Sequence, residues 1–191
     1  MIFDAIEFAA KAHSGQFRKG TKIPYIVHPL GVAKILIEHD CPEEIVVAGI
    51  LHDTVEDSTV TIDDIRQSFG EKVAWLVQAA SEPDKPDTWE NRKRHTIEFL
   101  KTAPVDVLLV SLADKLDNIR AIRQDYEKLG DALWPRFHRP KDSQMWYYRA
   151  LVDAFARRVK DGLDVSITKV FKAEVEKVFG GHDAAKEQKV P

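Results

Sequence analysis

The stretch Gly49-Ile50-Leu51-His52-Asp53-Thr54-Val55-Glu56-Asp57 carries four ionisable side chains within six positions, directly after an apolar run. That run, residues 45–51, is apolar on nearly every side of a helix, and a helix of this kind is buried. His52 and Asp53 therefore stand at the end of a buried helix. An imidazole beside a carboxylate suits a borderline divalent metal ion. The sequence predicts a metal site where this helix ends.

A second acidic pair, Glu56 and Asp57, follows Asp53 by three and four residues. Carboxylates this close to a metal site can orient its ligands or a reacting water. Acidic pairs are also common as solvated turn residues, and that alternative stays open here.

Further metal-capable side chains stand on apolar backgrounds at His28, before Pro29, and at Asp114, inside the apolar segment 105–122. Burying a lone carboxylate at Asp114 is costly, and a bound cation would remove that cost. The alternatives are a satisfied loop histidine at His28 and an ion pair of Asp114 with Lys115 or Arg120.

Asn118 follows Asp114 by four residues, so both side chains lie on one face of a helix. If Asp114 binds a metal ion, Asn118 faces the same pocket. The alternative is a surface amide, which the flanking Leu116 and Ile119 make less favourable.

Two groups of basic residues could meet an anionic substrate. Arg18-Lys19 lies in a loop before His28, and an arginine can stack on a base whereas a lysine cannot. A charged pair in a loop is otherwise simply solvated. We expect the second group, Arg92-Lys93-Arg94, with His95 beside it, to be a solvated helix face rather than a phosphate site.

Composition places limits on the class of protein. The 191 residues suffice for one domain with a core, and the net charge of −3 argues against extensive nucleic-acid binding. A single cysteine, Cys41, excludes an internal disulfide and fits a reducing compartment. We find no apolar segment of about 18 residues and no signal peptide at residues 1–13. We therefore expect a cytoplasmic protein without a membrane partner.

The periodicity predicts an all-α domain of about eight helices, with no strand-like alternation and no internal repeat. Thr61 and Asp64 resemble a capping box that opens a helix which Gly70 ends, and Thr88 or Asp87 caps a later helix. A long connection is expected over 126–140, a loop over 81–88 and a polar tail from 180. The helical segments are 2–14, a helix after Pro29 that ends near His39, 42–53, 62–69, 71–81, 89–102, 105–122, about 141–160 and about 165–178.

The ordered set His28, His52-Asp53 and Asp114 resembles the H…HD…D pattern of the HD superfamily of metal-dependent phosphohydrolases. The flanking motifs narrow the resemblance to the hydrolase domain of RelA/SpoT homologues, over residues 2–160. They are Arg18-Lys19, Pro24-Tyr25-Ile26-Val27-His28-Pro29, Leu51-His52-Asp53-Thr54-Val55-Glu56-Asp57 and Leu112-Ala113-Asp114-Lys115-Leu116-Asp117-Asn118-Ile119-Arg120. The chain is similar to a stand-alone small alarmone hydrolase, with an HD domain over 1–180 and a polar tail over 181–191.

The resemblance implies removal of the 3′-pyrophosphate from guanosine tetra- and pentaphosphate with Mn²⁺. It implies Glu56 and Asp57 as the residues that position or activate the attacking water. Arg18 would stack on guanine, Lys19 would lie near the charge of the nucleotide, and Asn118 would contact the ribose. The implied metal ligands are His28, His52, Asp53 and Asp114. Two imidazoles and two carboxylates also suit Fe²⁺, Co²⁺ or Zn²⁺, so the ligand types alone do not select the metal.

Two departures from the family pattern leave the base preference open. Position 121, often threonine in the family, is Ala121, and segment 131–146 has no clear counterpart but is expected to rim the pocket. The alternatives are an HD hydrolase acting on another nucleotide, such as an adenine alarmone, a nucleoside monophosphate or a redox dinucleotide, and a non-catalytic alarmone-binding module. Glu56 and Asp57 argue against mere binding. The partner expected is a small nucleotide, and the oligomeric state cannot be read.

Overall fold

The fold is all-α, as the sequence predicts, in a computed structural model that describes residues 1–81, 87–137 and 139–180. Within these ranges the only β-structure is one isolated bridge between Phe17 and Pro24. The ten α-helices are α1 (Ile2–Ala12), α2 (Val27–Glu38), α3 (Glu43–Leu51), α4 (Thr54–Asp57), α5 (Ile62–Phe69), α6 (Glu71–Ala80), α7 (Trp89–Leu100), α8 (Val105–Leu129), α9 (Lys141–Arg158) and α10 (Val165–Phe179). Short 3₁₀ segments cover Gly130–Arg136 and Val159–Asp161.

The centre of the fold is α3, whose residues 45–51 are all buried, as their apolar pattern predicts. It packs against α1, α2, α6 and α8. Gly49 permits the closest of these approaches, because a Cβ there would lie 2.5 Å from Leu36 of α2. This packing fixes the end of α3, where His52 follows.

The longest helix, α8, is longer than the sequence analysis predicts. The expected connection over 126–140 is wrong for its first half, because α8 runs to Leu129 and the 3₁₀ segment Gly130–Arg136 follows. The last turns of α8 are polar, but an ion pair between Arg123 and Glu127, one turn apart, supports them. Gly130, with a φ of 54°, then ends the helix.

Buried polar side chains tie the outer helices to this core. Arg123 of α8 donates to Glu174 of α10 at 2.7 Å. Arg158 of α9 donates to the backbone carbonyls of Leu100 and Ala103 at 2.7 and 2.8 Å, which fixes the turn between α7 and α8. These contacts hold α8 in place from both sides.

Helix caps follow the sequence signals. Thr61 and Asp64 form a reciprocal capping box on α5, and Gly70, with a φ of 89°, separates α5 from α6. Of the two candidates for α7, Thr88 is the cap and accepts from the Asn91 amide. Most of the loop predicted over 81–88, and the whole tail predicted over 181–191, lie outside the described residues. Among the helices described, none is long and apolar enough to cross a membrane.

Candidate metal centre

Three helices bring the four proposed metal ligands together. His28 lies in the first turn of α2, His52 and Asp53 follow α3, and Asp114 lies in the middle of α8. The ring atom Nε2 of His28 is 3.2 Å from Asp114 Oδ1 and 3.6 Å from Asp53 Oδ2. His52 Nε2 is 3.1 Å from Asp53 Oδ2 and 3.8 Å from Asp114 Oδ1. Atoms that each bind one ion at about 2.1 Å are roughly 3.0 to 3.4 Å apart, so the cluster has the size of a metal site.

In both imidazoles, a contact at Nδ1 fixes the direction in which Nε2 points. His52 Nδ1 is 2.8 Å from the Gly49 carbonyl, which can only accept, so this nitrogen carries the proton. Nε2 of His52 faces the carboxylates and is buried with no hydrogen-bond partner among the described residues; in the neutral ring it would offer its lone pair to a metal ion. His28 Nδ1 lies 2.6 Å from Asp117 Oδ2, the arrangement that turns a histidine towards a metal. The residues present therefore fit a divalent ion.

The carboxylates of Asp53 and Asp114 favour a positive charge next to them, as the shifted pKa values in the cluster indicate. Burial alone would lower the pKa of His52, but Asp53 and Asp114 outweigh burial and raise this pKa well above its usual range. Burial alone would raise the pKa of Asp53, but His52 lowers it more, and the net pKa lies well below the usual range. The two carboxylates are therefore ionised and available as ligands.

The sequence left two roles open for Asp114, an ion pair with a basic neighbour and a place among the metal ligands, and its two oxygens allow both. Its Oδ2 accepts from Lys115 Nζ at 2.6 Å, so the ion pair with Lys115 exists. Its Oδ1 faces the two imidazoles at the same time. Burial opposes ionisation of Asp114, but Lys115 and the histidines hold its pKa well below the usual range. The lysine neutralises one oxygen and leaves the other for a ligand role.

Tyr25 is a residue of the site that sequence reasoning missed. Its hydroxyl donates to Asp53 Oδ2 at 2.5 Å. Burial first, and Asp53 second, raise the pKa of Tyr25 far above its usual range, so the phenol keeps its proton as the donor. Nothing in a lone tyrosine before a His-Pro pair reveals such a contact. Asp117 was missed as well, although it lies within one turn of Asp114.

The predicted substrate residues border one cavity beside this cluster. Arg18, Lys19 and Asn118 line a cavity of about 670 Å³ that reaches His28. Arg18 Nη2 donates to Asn118 Oδ1 at 2.6 Å, and the Arg18 guanidinium lies 5.6 Å from the centre of the Tyr25 ring. Asn118 in turn donates to Asp114 Oδ1 at 2.5 Å. A hydrogen-bonded chain thus links the loop to Asp114, one of the proposed metal ligands.

The two departures from the family pattern both fall on this cavity. Ala121 lines it, and so do residues from segment 131–146, which confirms that this segment rims the pocket. The residues from that segment are Leu133, Arg136, Phe137 and Gln144.

The acidic pair lies in the single turn α4, directly after Asp53. Glu56 is half-buried and Asp57 is exposed. Gln16 fixes this turn, because its Nε2 donates to the Asp57 carbonyl at 2.6 Å while its Oε1 lies 2.8 Å from His13 Nδ1. Gln16 was also missed, since its partner lies 41 residues away.

The basic group on α7 is only partly solvated, because Arg92 and Lys93 are half-buried. Arg92 and His95 line a second cavity, of about 400 Å³, which also contacts His52 and Asp114. Lys93 Nζ lies 5.1 Å from the centre of the Tyr147 ring. Arg94 and His95 are exposed, as expected of a solvated face.

A bundle of helices that brings ligand atoms of His28, His52 and Asp114 within 4.8 Å of one another, with Asp53 beside the two histidines, is the architecture of a metal-dependent HD domain. The chain belongs to the HD domain family, which matches residues 5–138. Extension of the domain to residue 180 stays a prediction, and the packing of α10 on α8 supports it.

Named relatives match more than half of the chain. The chain is similar to the guanosine-3′,5′-bis(diphosphate) 3′-pyrophosphohydrolase MESH1 of Homo sapiens, with 40% identity over 126 residues, 64% of this chain and 70% of MESH1. The guanosine-3′,5′-bis(diphosphate) 3′-pyrophosphohydrolase of Aquifex aeolicus is 38% identical over 120 residues, which make up 62% of this chain. The matched part spans only 17% of that longer relative.

Two solved structures resemble the whole bundle. The first is described as a metazoan ortholog of SpoT that hydrolyzes ppGpp and plays a role in starvation responses. It has a TM-score of 0.75, 27% identity and 94% coverage of both chains. The second is lmo0812 from Listeria monocytogenes, with a TM-score of 0.71, 37% identity, and coverage of 82% of this chain and 96% of that one.

Proposed function

We propose that the chain hydrolyses the 3′-diphosphate of guanosine tetra- and pentaphosphate, so that ppGpp yields GDP and pyrophosphate. The observation that carries this proposal is the convergence of four ligand atoms at distances of 3.1 to 3.8 Å beside the cavity of Arg18 and Asn118. The names of the relatives support this choice of substrate. His28, His52, Asp53 and Asp114 would hold the metal, which we propose to be Mn²⁺.

A bound divalent ion would supply charge that polarises a phosphate oxygen and lowers the pKa of a nearby water. The protein supplies the rest. Water attacks the phosphorus attached to the ribose 3′-oxygen, in line with the bond that breaks. Glu56, with Asp57 beside it, orients this water and accepts its proton. The 3′-oxygen leaves with the nucleoside and takes up a proton, so the products are a nucleoside 5′-diphosphate and pyrophosphate.

Recognition of the nucleoside falls to the larger cavity. Arg18 presents a planar guanidinium that would stack on guanine, and its position against Tyr25 holds that plane in place. Lys19 would lie near the charge of the nucleotide. Asn118 would contact the ribose with the amide hydrogen and carbonyl lone pair that remain beside its bonds to Asp114 and Arg18.

The test is a matrix of nucleotides and metals, with products separated by nucleotide chromatography. We expect Mn²⁺-dependent conversion of ppGpp to GDP, abolished in His52→Ala and in Asp53→Ala. His39→Ala is the matched control, because His39 ends α2 on another side of the fold, where it contacts Ser166. Turnover that survives in both site variants rejects the site. Turnover of an adenine nucleotide alone, or tight binding without release of phosphate, rejects the proposed reaction.

A further inference from the structure

Residues of α8 line both the second cavity and the proposed substrate cavity. Ser111 and Lys115 line the cavity of about 400 Å³, whereas Asn118 and Ala121 line the larger one. Positions three, four and seven residues apart share a helix face, so these side chains form one continuous stripe. Asp114 lines the smaller cavity, and its Oδ1 accepts from Asn118, which lines the larger one. A ligand whose middle lies at the metal cluster can therefore extend into both.

Basic side chains outnumber acidic ones in the described lining of this second cavity. Arg92 and His95 reach it from α7, and Lys115 reaches it from α8. The only carboxylate among the described lining residues is that of Asp114, which Lys115 already neutralises on Oδ2. The cavity is therefore suited to an anion.

The uncharged part of the lining supports the same conclusion. The Gln78 amide and the Ser111 hydroxyl provide neutral donors, and the remaining wall is largely apolar, with Phe99, Leu100 and Val110. An apolar wall lowers the local dielectric, which strengthens the attraction between a cation and a bound anion. A guanidinium also matches phosphate oxygens with two parallel donors.

We infer that this cavity is the subsite for the outer phosphate of the 3′-diphosphate, and that Arg92 is its specificity-determining contact. This inference rests on the proposed function. Arg92 and His95 line this cavity from α7, and the Arg92 guanidinium would meet an entering phosphate. The subsite explains how the site would select a diphosphate over a monophosphate at the 3′ position.

The first experiment measures binding of inorganic pyrophosphate, independently of turnover. Titration calorimetry would use the full chain loaded with Mn²⁺ and freed of excess metal. We expect Arg92→Gln to weaken pyrophosphate binding about 10-fold or more, the usual loss for a charged hydrogen bond. Arg94→Gln removes the same charge two residues away on an exposed position and should leave binding unchanged. Arg92→Lys keeps the positive charge but loses the two parallel donors of the guanidinium. Its affinity for pyrophosphate should lie between those of Arg92→Gln and Arg94→Gln.

The second experiment compares guanosine nucleotides that carry a 3′-diphosphate or a 3′-monophosphate. Arg92→Gln should lower kcat/KM for the diphosphate about 10-fold and leave the monophosphate nearly unchanged. Equal losses on both substrates, or pyrophosphate binding that is equal in wild type and Arg92→Gln, would overturn the subsite. The subsite would also be overturned if Arg92→Gln weakened binding of guanosine rather than of pyrophosphate, since the cavity would then hold a base.

The two proposals fail in different ways. If no guanosine nucleotide is hydrolysed but pyrophosphate binding still depends on Arg92, the proposed function is wrong and the anion subsite stands. If ppGpp is hydrolysed and Arg92→Gln behaves like Arg94→Gln in both experiments, the function stands and the subsite is wrong. Thermal unfolding of each variant, compared with Arg92→Lys, separates loss of binding from loss of fold.

Discussion

His28 and Asp117 form the contact that aims one imidazole at the metal cluster. Nδ1 of His28 lies 2.6 Å from Asp117 Oδ2, and Nε2 of the same ring lies 3.2 Å from Asp114 Oδ1. Asp117 comes from the turn of α8 that follows Asp114, so one helix supplies both a proposed ligand and the group that orients another. A carboxylate on the far nitrogen also raises the basicity of the ring.

Replacing Asp117 by asparagine should weaken metal binding without loss of the fold. The amide still accepts from His28 but carries no charge, so we expect the Kd for Mn²⁺ to rise about 10-fold to 100-fold. Metal titration by calorimetry measures this change. Asp106→Asn is the control, since Asp106 lies in the first turn of the same helix and contacts Lys72 at the surface. Equal affinities in the two variants would contradict the role given to Asp117.

Gly31 should tolerate no side chain while Asp117 keeps its position. A Cβ at Gly31 would overlap the Asp117 carboxylate, so Gly31→Ala must push that carboxylate away from His28. We expect an increase of about 10-fold in the Kd for Mn²⁺, from loss of the orienting contact. In an Asp117→Ala background the overlap disappears, and Gly31→Ala should then have almost no further effect. Additive losses would show that Gly31 acts through another route.

Gln16 should affect turnover more than metal binding. Its side chain ties the substrate loop to the turn of Glu56 and Asp57, through the bond of 2.6 Å to the Asp57 carbonyl. In Gln16→Ala we expect kcat for ppGpp to fall about 10-fold because the acidic pair is less well oriented. The Kd for Mn²⁺ should stay within a factor of about two, since no proposed ligand loses a partner. Gln67→Ala, on the exposed face of α5, is the control.

Glu174 should stabilise the fold in a pH-dependent way. Burial alone would raise its pKa, but hydrogen bonds from Lys177 and Arg123 outweigh burial and lower it. A folded pKa below the unfolded value of about 4.3 stabilises above that pH, and the stabilisation is lost as the pH falls through the folded pKa. Glu174→Gln should therefore lower the free energy of unfolding by about 1 to 2 kcal/mol at pH 7.

Urea unfolding at several pH values tests this dependence. The difference between wild type and Glu174→Gln should be largest near pH 7 and should shrink as acid protonates the wild-type glutamate. Glu176→Gln, an exposed neighbour on α10, should show little effect at any pH. A difference that stays constant into acid would mean that packing, rather than charge, is responsible.

The sequence predicted the features that are encoded locally. The apolar run before His52 predicted a buried helix, and the spacing of Thr61 and Asp64 predicted a cap, because both depend on neighbours within a few turns. The four metal-capable residues stood out because each is polar on an apolar background. The structure brings them together, and their role as ligands stays a prediction.

What the sequence could not give are partners fixed by tertiary packing. Asp117 meets His28 across 89 residues, and Gln16 meets Asp57 across 41, with no periodic signal for either contact. Arg92 and Phe99 do lie on one helix face, but periodicity does not say whether such a face meets solvent or another helix. The sequence did not predict the end of α8, because its last turns are polar and a polar segment is equally typical of a connection.

The hydrogen-bonded path from Arg18 through Asn118 to Asp114 would couple binding of a nucleotide at Arg18 to binding of an ion at Asp114. A base that pulls Arg18 away from Asn118 would change the hydrogen bond between Asn118 and Asp114. An ion bound to Asp114 would in the same way change the hydrogen bond between Asn118 and Arg18. Linkage requires the two effects to be equal in free energy. The factor by which Mn²⁺ changes affinity for GDP must therefore equal the factor by which GDP changes affinity for Mn²⁺.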